Sequence, residues 1–323
     1  MKLKEAEQLH DLSPHIRSRI KTKIIMQDVL IALTPAFLGT IYFFGLRSLM
    51  LVFCSITTCL LSEYLWQKIR KEKMTTNDYS AIVTGVLLAF NLPVTTPVWI
   101  VIFAGTFSII VAKQFFGGIG NNVANPALMG RAIIMFLWPG AISDYVTTYQ
   151  QSADAVSSAT VLTMLKSGNE VTFSKWDMFI GAIPGAIGET SALLLIIGFA
   201  YLCYRKIVKA RTTIVYIITV LTITFIFGPE GLFTGDILTN LLAGGLILGA
   251  CYMITDYPTI SPRIQVVLAI IAGLLTASIR VWGLLPEGVY FGILVANCLA
   301  GLIDKLIKPH IYGVNVKKQE MET

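Results

Sequence analysis

A run of small and hydroxyl-bearing residues, DAVSSAT at 154–160, has the composition of an acceptor for covalent modification. It fits the pattern Asp-x-x-Ser/Thr-Gly/Ser-Ala-Thr, in which the last threonine carries FMN through a phosphoester bond. A hydroxyl can serve as the acceptor, small neighbours let a modifying enzyme approach, and an upstream carboxylate helps to orient the segment. The predicted cofactor-binding residues of this run are Thr160, as the attachment site, with Asp154, Ser157, Ser158 and Ala159.

A structural explanation of the same run is also open. Asp and Ser are common helix caps, and the sequence VLTMLK at 161–166 suits the first turns of a helix. The pattern more often has Gly where Ser158 stands, which is a mild departure because serine is also small. We favour flavin attachment, because such a match is expected by chance in only about one in a thousand chains of this length.

A second segment that could carry chemistry is KQFFGGIGNNVANPALMGR at 113–131. The amides of Asn122 and Asn125 offer donors and acceptors that could match the uracil-like edge of an isoalloxazine ring. The alternative is structural, with Asn125 as the N-cap and Pro126 as the first residue of a helix. The glycines do not form a Walker A loop, since no Gly-Lys-Ser/Thr follows them.

Three acidic residues lie within or at the ends of apolar runs, where an ionisable side chain is costly and therefore a functional candidate. Asp28 and Glu189 are the predicted ion-path residues, because a faint similarity between QDVLIAL and GETSALL places them at equivalent positions of two halves. Glu63 lies near the end of its run, and reaching water beside Lys68 is the alternative explanation for it.

Two other polar segments, TDYPTISPR at 255–263 and RVWGLLPEGV at 280–289, receive structural explanations. The prolines of the first stop a helix from continuing. In the second, Glu287 stands at a predicted helix N-terminus, where the helix dipole favours a negative charge. We therefore expect Glu287 to have a structural role.

Metal and nucleic-acid chemistry are not indicated by the sequence. The three histidines, His10, His15 and His310, stand outside the apolar runs, and the five cysteines include no Cys-x-x-Cys pair. The net charge of +6 comes from basic residues clustered between apolar runs, which is typical of membrane-protein loops and not of a nucleic-acid surface. No dinucleotide-binding fingerprint is present.

Helices in lipid must position these residues. Of the 323 residues, 55% are hydrophobic and 14% are charged, against about 25% charged in an ordinary soluble domain, which excludes a cytosolic enzyme. Apolar runs of about 15 to 22 residues predict an all-α polytopic membrane protein. The ten candidate transmembrane helices are 24–46, 48–66, 79–93, 97–113, 127–142, 179–204, 212–227, 237–254, 264–280 and 288–304.

The distribution of Lys and Arg predicts how the chain is oriented in the membrane. Alternate loops and the two tails hold 21 basic residues on one side of the membrane, against 4 on the other, which places both termini in the cytoplasm. The predicted division of the chain is an N-terminal tail 1–23, a first half 24–142, an outer flavin-bearing loop 143–178, a second half 179–304 and a C-terminal tail 305–323.

Five helices that start from the cytoplasm and five that start from the outer side make two halves of opposite topology. A weak similarity between NDYSAIVTGVLLA and TGDILTNLLAGGLILGA fits that division. Inverted repeats usually place a functional site between the halves, on interrupted helices. A secondary transporter of a small solute is therefore an alternative function, and a scaffold subunit that only docks partners is a third.

Four motifs in one order resemble a known family. GGIGNNVANPALMGR, DAVSSAT, TDYPTISPR and RVWGLLPEGVYFGILVANCLAGLID are similar to segments of the NqrB/RnfD family. This family includes the D subunit of the Rnf complex, an ion-translocating ferredoxin:NAD oxidoreductase, and the B subunit of the sodium-pumping NADH:quinone oxidoreductase. The similarity runs from Asp78 to Asp304, and the short N-terminal tail is more similar to the Rnf protein.

The resemblance implies a ten-helix subunit with FMN esterified to Thr160 on the outer face, added by a separate flavin transferase. It also implies a non-covalent riboflavin near Asn122 and Asn125. Electrons would pass between these flavins and redox centres on other membrane and peripheral subunits, coupled to movement of Na⁺ or H⁺. The chain would then act as one subunit of a cation-translocating oxidoreductase and would not be catalytically complete alone.

Overall fold

The structure is a computed structural model of the chain. It describes residues 22–146, 148, 157–168, 171–228, 231–255, 264–283, 285 and 287–306, and for residues 157 and 158 it describes the backbone alone. Asp154, the three histidines and most of both predicted tails lie outside the described residues.

The first half consists of five apolar helices. They are α1 (Thr22–Phe44), α2 (Leu46–Arg70), α3 (Ser80–Phe90), α4 (Val98–Ile109), which continues as the π-helical turn Ile110–Gln114, and α5 (Pro126–Leu137). The start of α5 follows from its sequence, because the Asn125 side chain accepts hydrogen bonds from Ala127 N and Leu128 N and Pro126 occupies the first position. This N-cap is the one that the structural alternative predicts.

The outer loop and the second half contain the remaining helices. They are α6 (Val161–Lys166), α7 (Lys175–Ile180), α8 (Ala192–Tyr204), α9 (Ala210–Ile226), α10 (Ile237–Leu242), α11 (Leu246–Leu248), which continues as the π-helical turn Gly249–Met253, α12 (Gln265–Trp282) and α13 (Val289–Leu306). Two short hairpins accompany them, Tyr145–Val146 (β1) with Ser157–Ser158 (β2), and Phe227–Gly228 (β3) with Gly231–Leu232 (β4).

The predicted helix 179–204 is wrong over its first part. Helix α7 ends at Gly181, whose φ of 113° is readily adopted only by glycine, and the chain stays non-helical through the Gly/Pro-rich residues 182–191. Ser191 then caps α8 by accepting a hydrogen bond from Leu194 N. The predicted helix 237–254 is likewise interrupted, at residues 243–245 between α10 and α11.

The all-α membrane architecture is confirmed. Within the described residues, four helices, α1, α2, α12 and α13, are long and apolar enough to cross a bilayer. Shorter apolar helices lie at Ser80–Phe90, Val98–Gln114, Pro126–Leu137, Ala192–Tyr204 and Ala210–Ile226. The number of spans and the side on which each terminus lies stay predictions from the sequence.

Equivalent helices of the two halves pack in equivalent ways. Helix α2 packs against α4 and α4 against α5, as α9 packs against α12 and α12 against α13. Helices α1 and α8, the first long helix of each half, pack against one another. The close approach of α1 and α8 depends on Gly198, since a Cβ there would overlap the carbonyl oxygen of Ala32.

The helix interruptions of the two halves meet inside the molecule. Ile187 N donates to Leu92 O at 2.9 Å and Gly188 N to Phe90 O at 3.0 Å, so the 181–191 segment pairs with the end of α3. Gly245, at the break between α10 and α11, lies beside Glu189, because an added Cβ would be 2.7 Å from Glu189 Oε2. Interrupted backbone is tolerated at membrane depth where protein surrounds it, and these interruptions position the site below.

Side-chain contacts attach the outer loop to the second half. Lys166 Nζ at the end of α6 donates to Leu285 O at 2.7 Å, and Lys175 at the start of α7 bonds to Asp236 and Thr239. Burial opposes the ionisation of Asp236, but the hydrogen bonds from Lys175 and Thr239 outweigh it and lower the pKa of Asp236 to about 2. The β1–β2 hairpin holds the stretch that leads to Thr160.

Candidate functional site

Thr160 is the N-cap of helix α6. Its hydroxyl accepts a hydrogen bond from Thr163 N at 3.3 Å and lies 2.8 Å from the Thr163 hydroxyl. The side chain is only 5% exposed, whereas Ala159, just before it, is exposed. Ser157 and Ser158 form β2, opposite Val146 and Tyr145. The structure therefore places the predicted acceptor at a strand-to-helix junction, with an exposed small residue on one side.

A small cavity adjoins Thr160. Its volume is about 10 Å³, the room of a single water molecule. Its walls come from the start of α6, from the 181–191 segment and from the break between α10 and α11; they comprise Thr160, Val161, Ile183, Pro184, Gly185, Glu189, Thr190, Gly244 and Glu287. The cavity thus joins the predicted flavin acceptor to one of the predicted ion-path residues.

Buried charges surround this cavity. Arg131 Nη2 on α5 donates to Glu287 Oε2 at 2.8 Å, and both side chains are almost fully buried. The Arg131 guanidinium also stacks 3.7 Å from the ring centroid of Tyr290, whose hydroxyl donates to Glu189 Oε2. Glu189 Oε1 accepts from Ala186 N at 2.9 Å. One continuous network therefore connects α5, α13 and the 181–191 segment.

A second buried arginine has backbone partners only. Arg280 on α12 donates to Asn240 O at 2.7 Å and Ala243 O at 3.2 Å, and no carboxylate of the described residues lies within 4.0 Å of it. The Nε atoms of Arg131 and Arg280, and Nη1 of Arg131, are buried without a hydrogen-bond partner. Unpartnered buried donors are costly, so this region has capacity for a further acceptor.

The predicted riboflavin residues Asn122 and Asn125 line a second cavity, in the first half of the chain. Asn122, Asn125, Lys113 and Ser80 are among the residues that line it, and its volume is about 40 Å³. The Asn122 carbonyl oxygen is buried with no hydrogen-bond partner, whereas the Asn125 carbonyl oxygen is used as the cap of α5. The structure brings the two asparagines together, but the space between them is much smaller than the roughly 300 Å³ of ordinary ligand pockets.

Glu63 belongs to a buried ion pair beside that cavity. Lys113 Nζ donates to Glu63 Oε1 at 2.7 Å and to Ser80 Oγ at 2.6 Å, and Gln114 Nε2 donates to the same Glu63 oxygen at 2.7 Å. Glu63 is fully buried, so the explanation that it reaches water beside Lys68 is wrong. The second oxygen of Glu63 has no hydrogen-bond partner.

Asp28 and Glu189 are not brought together. Asp28 on α1 accepts from the Tyr201 hydroxyl at 2.7 Å and from Arg205 Nη2 at 3.0 Å, both at the end of α8. Glu189 precedes the start of α8, and Tyr201 stands nine residues after Ala192, about 13 Å further along a helix. The two predicted ion-path residues therefore lie at opposite ends of α8.

Sequence reasoning misses the partners in these networks. The predicted helices 97–113 and 127–142 include Lys113 and Arg131, which lie in the π-helical turn after α4 and in α5, but the sequence does not indicate that they pair with Glu63 and Glu287. The available signal is their position directly beside apolar runs, where a charge needs a partner. In the described part of the chain, no group of three or more His, Cys, Asp or Glu residues could hold a metal ion.

Comparison with known proteins gives consistent matches over most of the chain. Residues 10–313 match the family described as "NQR2, RnfD, RnfE family". The D subunit of the Na⁺-translocating ferredoxin:NAD⁺ oxidoreductase complex of Acetobacterium woodii is 41% identical over 95% of this chain and 96% of its own length. The proton-translocating counterpart of Clostridium ljungdahlii is 38% identical over 93% of this chain and 95% of its own.

A more distant relative extends the comparison. The D subunit of the ion-translocating oxidoreductase complex of Salmonella paratyphi A is 29% identical over 93% of this chain and 97% of its own length. Two similar relatives are named for different cations, so similarity alone does not assign an ion.

Proposed function

The chain belongs to the NQR2, RnfD, RnfE family, and on that premise we propose that it is the membrane electron-transfer subunit of an ion-translocating ferredoxin:NAD oxidoreductase complex. It carries FMN as a phosphoester on Thr160 and a non-covalent riboflavin near Asn122. The observation that carries the proposal is the family match over residues 10–313, combined with the acceptor pattern that ends at Thr160.

The residues around Thr160 suit a phosphoester in chemistry but not in volume, because the Thr160 side chain is 5% exposed and the adjoining cavity has the room of one water molecule. The ester oxygen that replaces the hydroxyl still accepts the hydrogen bond from Thr163 N, because capping uses a lone pair and not the proton. The unpartnered N–H groups of Arg131 and Arg280 supply buried positive charge in the network around the adjoining cavity. Guanidinium groups are well suited to phosphoryl oxygens.

The flavin, when bound, supplies electron transfer; the chain supplies its attachment and surroundings. Thr160 holds the phosphoryl end, and the cap of α6 restricts its rotation. The hydrogen bond of Lys166 to Leu285 O holds the end of α6 on the second half, and that of Lys175 to Asp236 holds the start of α7 there. A fixed attachment point keeps the distance to neighbouring redox centres constant.

The riboflavin site fits in chemistry but not in volume. The free carbonyl oxygen of Asn122 and the nearby Lys113 ammonium suit the polar edge of an isoalloxazine ring. The cavity of about 40 Å³ admits an edge and not a tricyclic ring. We therefore propose that residues of a neighbouring subunit complete this site.

The same proposal gives the partners and the location. The chain assembles with the other membrane and peripheral subunits of a complex in the bacterial plasma membrane, with both termini in the cytoplasm. A separate flavin transferase attaches the FMN to Thr160. The ferredoxin and NAD reactions belong to the partners, because the sequence has neither a dinucleotide-binding fingerprint nor a cluster-binding cysteine run.

Thr160→Ala tests the attachment site. With the transferase co-expressed, the wild-type band should fluoresce as flavin after denaturing electrophoresis, and the variant band should be dark because the acceptor hydroxyl is gone. Thr163→Ala is the matched control, since it removes a neighbouring hydroxyl and leaves the acceptor in place. Mass spectrometry of the peptide that contains residue 160 should show the added FMN.

A dark wild-type band would contradict the proposal. Solute uptake by flavin-free chain expressed alone would instead support the transporter alternative. Unchanged electron transfer through the complex with Thr160→Ala would support the scaffold alternative.

A further inference from the structure

Two buried carboxyl groups face the small cavity beside Thr160. Glu189, from the 181–191 segment, is 5% exposed, and Glu287, just before α13, is 6% exposed. Both line the same space of about 10 Å³. Two carboxylates that share a small space of low dielectric cannot both ionise without a large cost, and one of them usually keeps a proton.

One carboxylate oxygen at this cavity has no partner. Glu287 Oε2 accepts from Arg131, but Glu287 Oε1 is buried and has no hydrogen-bond partner. A proton on Oε1 converts this unpartnered acceptor into a donor, and the cavity has room for one water molecule to receive its hydrogen bond. A metal ion is less suitable, because it needs several more oxygen ligands than one water-sized space provides.

Charged and titratable groups on several of the surrounding elements interact with the pair. They are Arg131 on α5, Tyr145 on β1, Arg280 on α12 and Tyr290 on α13. The two arginines balance two ionised carboxylates. A phosphodiester at Thr160 adds one negative charge, so the network becomes neutral when one carboxyl holds a proton.

We propose that Glu189 and Glu287 share one proton, and that negative charge at Thr160 strengthens its binding. The second part rests on the proposed flavin attachment. The proton comes from a hydronium ion of the solvent: one O–H bond of hydronium breaks and leaves a neutral water molecule, and a lone pair of a carboxylate oxygen forms the new O–H bond. Release of the proton reverses both changes, and no group is oxidised or reduced.

Infrared spectroscopy of the purified complex, titrated over pH, tests the pair. The C=O stretch of a protonated carboxyl should persist at neutral pH in the wild type and disappear in Glu189→Gln. Glu287→Gln should have the same effect, but it leaves Arg131 without its ion-pair partner. If Glu287→Gln does not fold, the result for Glu189→Gln tests the proposal by itself. Glu72→Gln is the control, because Glu72 forms an exposed ion pair with Arg70.

A separate measurement tests the effect of charge at Thr160 on proton binding by the two carboxyl groups. In Thr160→Ala the midpoint of the carboxyl titration should move to lower pH by about one unit, a tenfold weaker proton affinity, because one nearby negative charge is missing. A midpoint that does not move overturns the linkage.

A carboxyl signal that survives Glu189→Gln, or that Na⁺ abolishes at constant pH, overturns the shared proton. These results do not depend on the flavin band of the gel, so this proposal and the proposed function can fail separately.

Discussion

At the residue scale, two buried ion pairs of the described chain join residues that are distant in the sequence. Glu63 pairs with Lys113 and Arg131 with Glu287, and in each pair both side chains are almost fully buried. Such pairs are costly to break, because the remaining charge is left without a partner in a medium of low dielectric. They therefore determine which helices must be adjacent.

Lys113→Met should lower the free energy of unfolding by about 3–5 kcal/mol, because Glu63 remains buried without its cation. The double variant Lys113→Met/Glu63→Leu should recover most of that loss, since neither charge remains. Thermal unfolding of the full chain in detergent measures both.

Arg70→Met is the control for this pair. Its ion pair with Glu72 is exposed and should contribute less than about 1 kcal/mol. Equal destabilisation of the single and double variants would contradict the argument that the uncompensated charge causes the loss.

Roles that depend on neighbouring residues are easier to predict from the sequence than contacts between distant residues. The Asn-Pro pair at 125–126 predicts the start of α5, because a cap needs only neighbouring backbone groups. The partner of Glu63 could not be predicted in this way. Lys68 is near it in sequence, but the folding of α4 against α2 brings Lys113 into contact instead.

At the element scale, interruptions of helices matter as much as the helices themselves. The ends of α3, the 181–191 segment and the break between α10 and α11 meet, and Glu189 lies where they do. Stretches rich in Gly, Pro and Asn indicate where helices stop. Such stretches could not indicate that the helix interruptions would contact one another, because that contact depends on how α1 packs against α8.

Gly198→Ala tests this packing. The added methyl would overlap the Ala32 carbonyl oxygen on α1 and the Tyr252 hydroxyl, which donates to that oxygen. We expect a loss of about 1–3 kcal/mol in the free energy of unfolding from overpacking, measured by thermal unfolding in detergent.

Gly301→Ala is the matched control for Gly198→Ala, because nothing lies within 4 Å of the added Cβ. It should be neutral or stabilise α13 by up to about 1 kcal/mol, owing to the higher helix propensity of alanine. Two variants with the same effect would contradict the close approach of α1 and α8.

At the scale of the whole molecule, the chain forms two halves with corresponding helix contacts, and it contains two buried networks. The Glu63 network belongs to the first half, and the Glu189 network lies between the halves. Apolar runs predict the helices themselves because lipid requires helical backbone hydrogen bonding. The networks could not be predicted, because they join distant residues such as Arg131 and Glu287, which are 156 positions apart.

The positive-inside distribution predicts that both termini face the cytoplasm. A protease site added at either terminus should be cut in inverted vesicles and protected in spheroplasts, and a site inserted at residues 149–153 of the outer loop should behave in the opposite way. Termini that are cut on opposite sides would require an odd number of crossings and would contradict the ten-helix prediction.

The ion pair between Asp28 and Arg205 has a consequence for biosynthesis. The two residues are 177 positions apart, so Asp28 enters the membrane long before its partner is translated. At about 5–20 residues per second, the wait is roughly 10–35 s. A lone carboxylate is poorly tolerated in hydrocarbon for that time. Early α1 should therefore stay next to the insertion machinery or near lipid headgroups until α8 emerges and the halves can close.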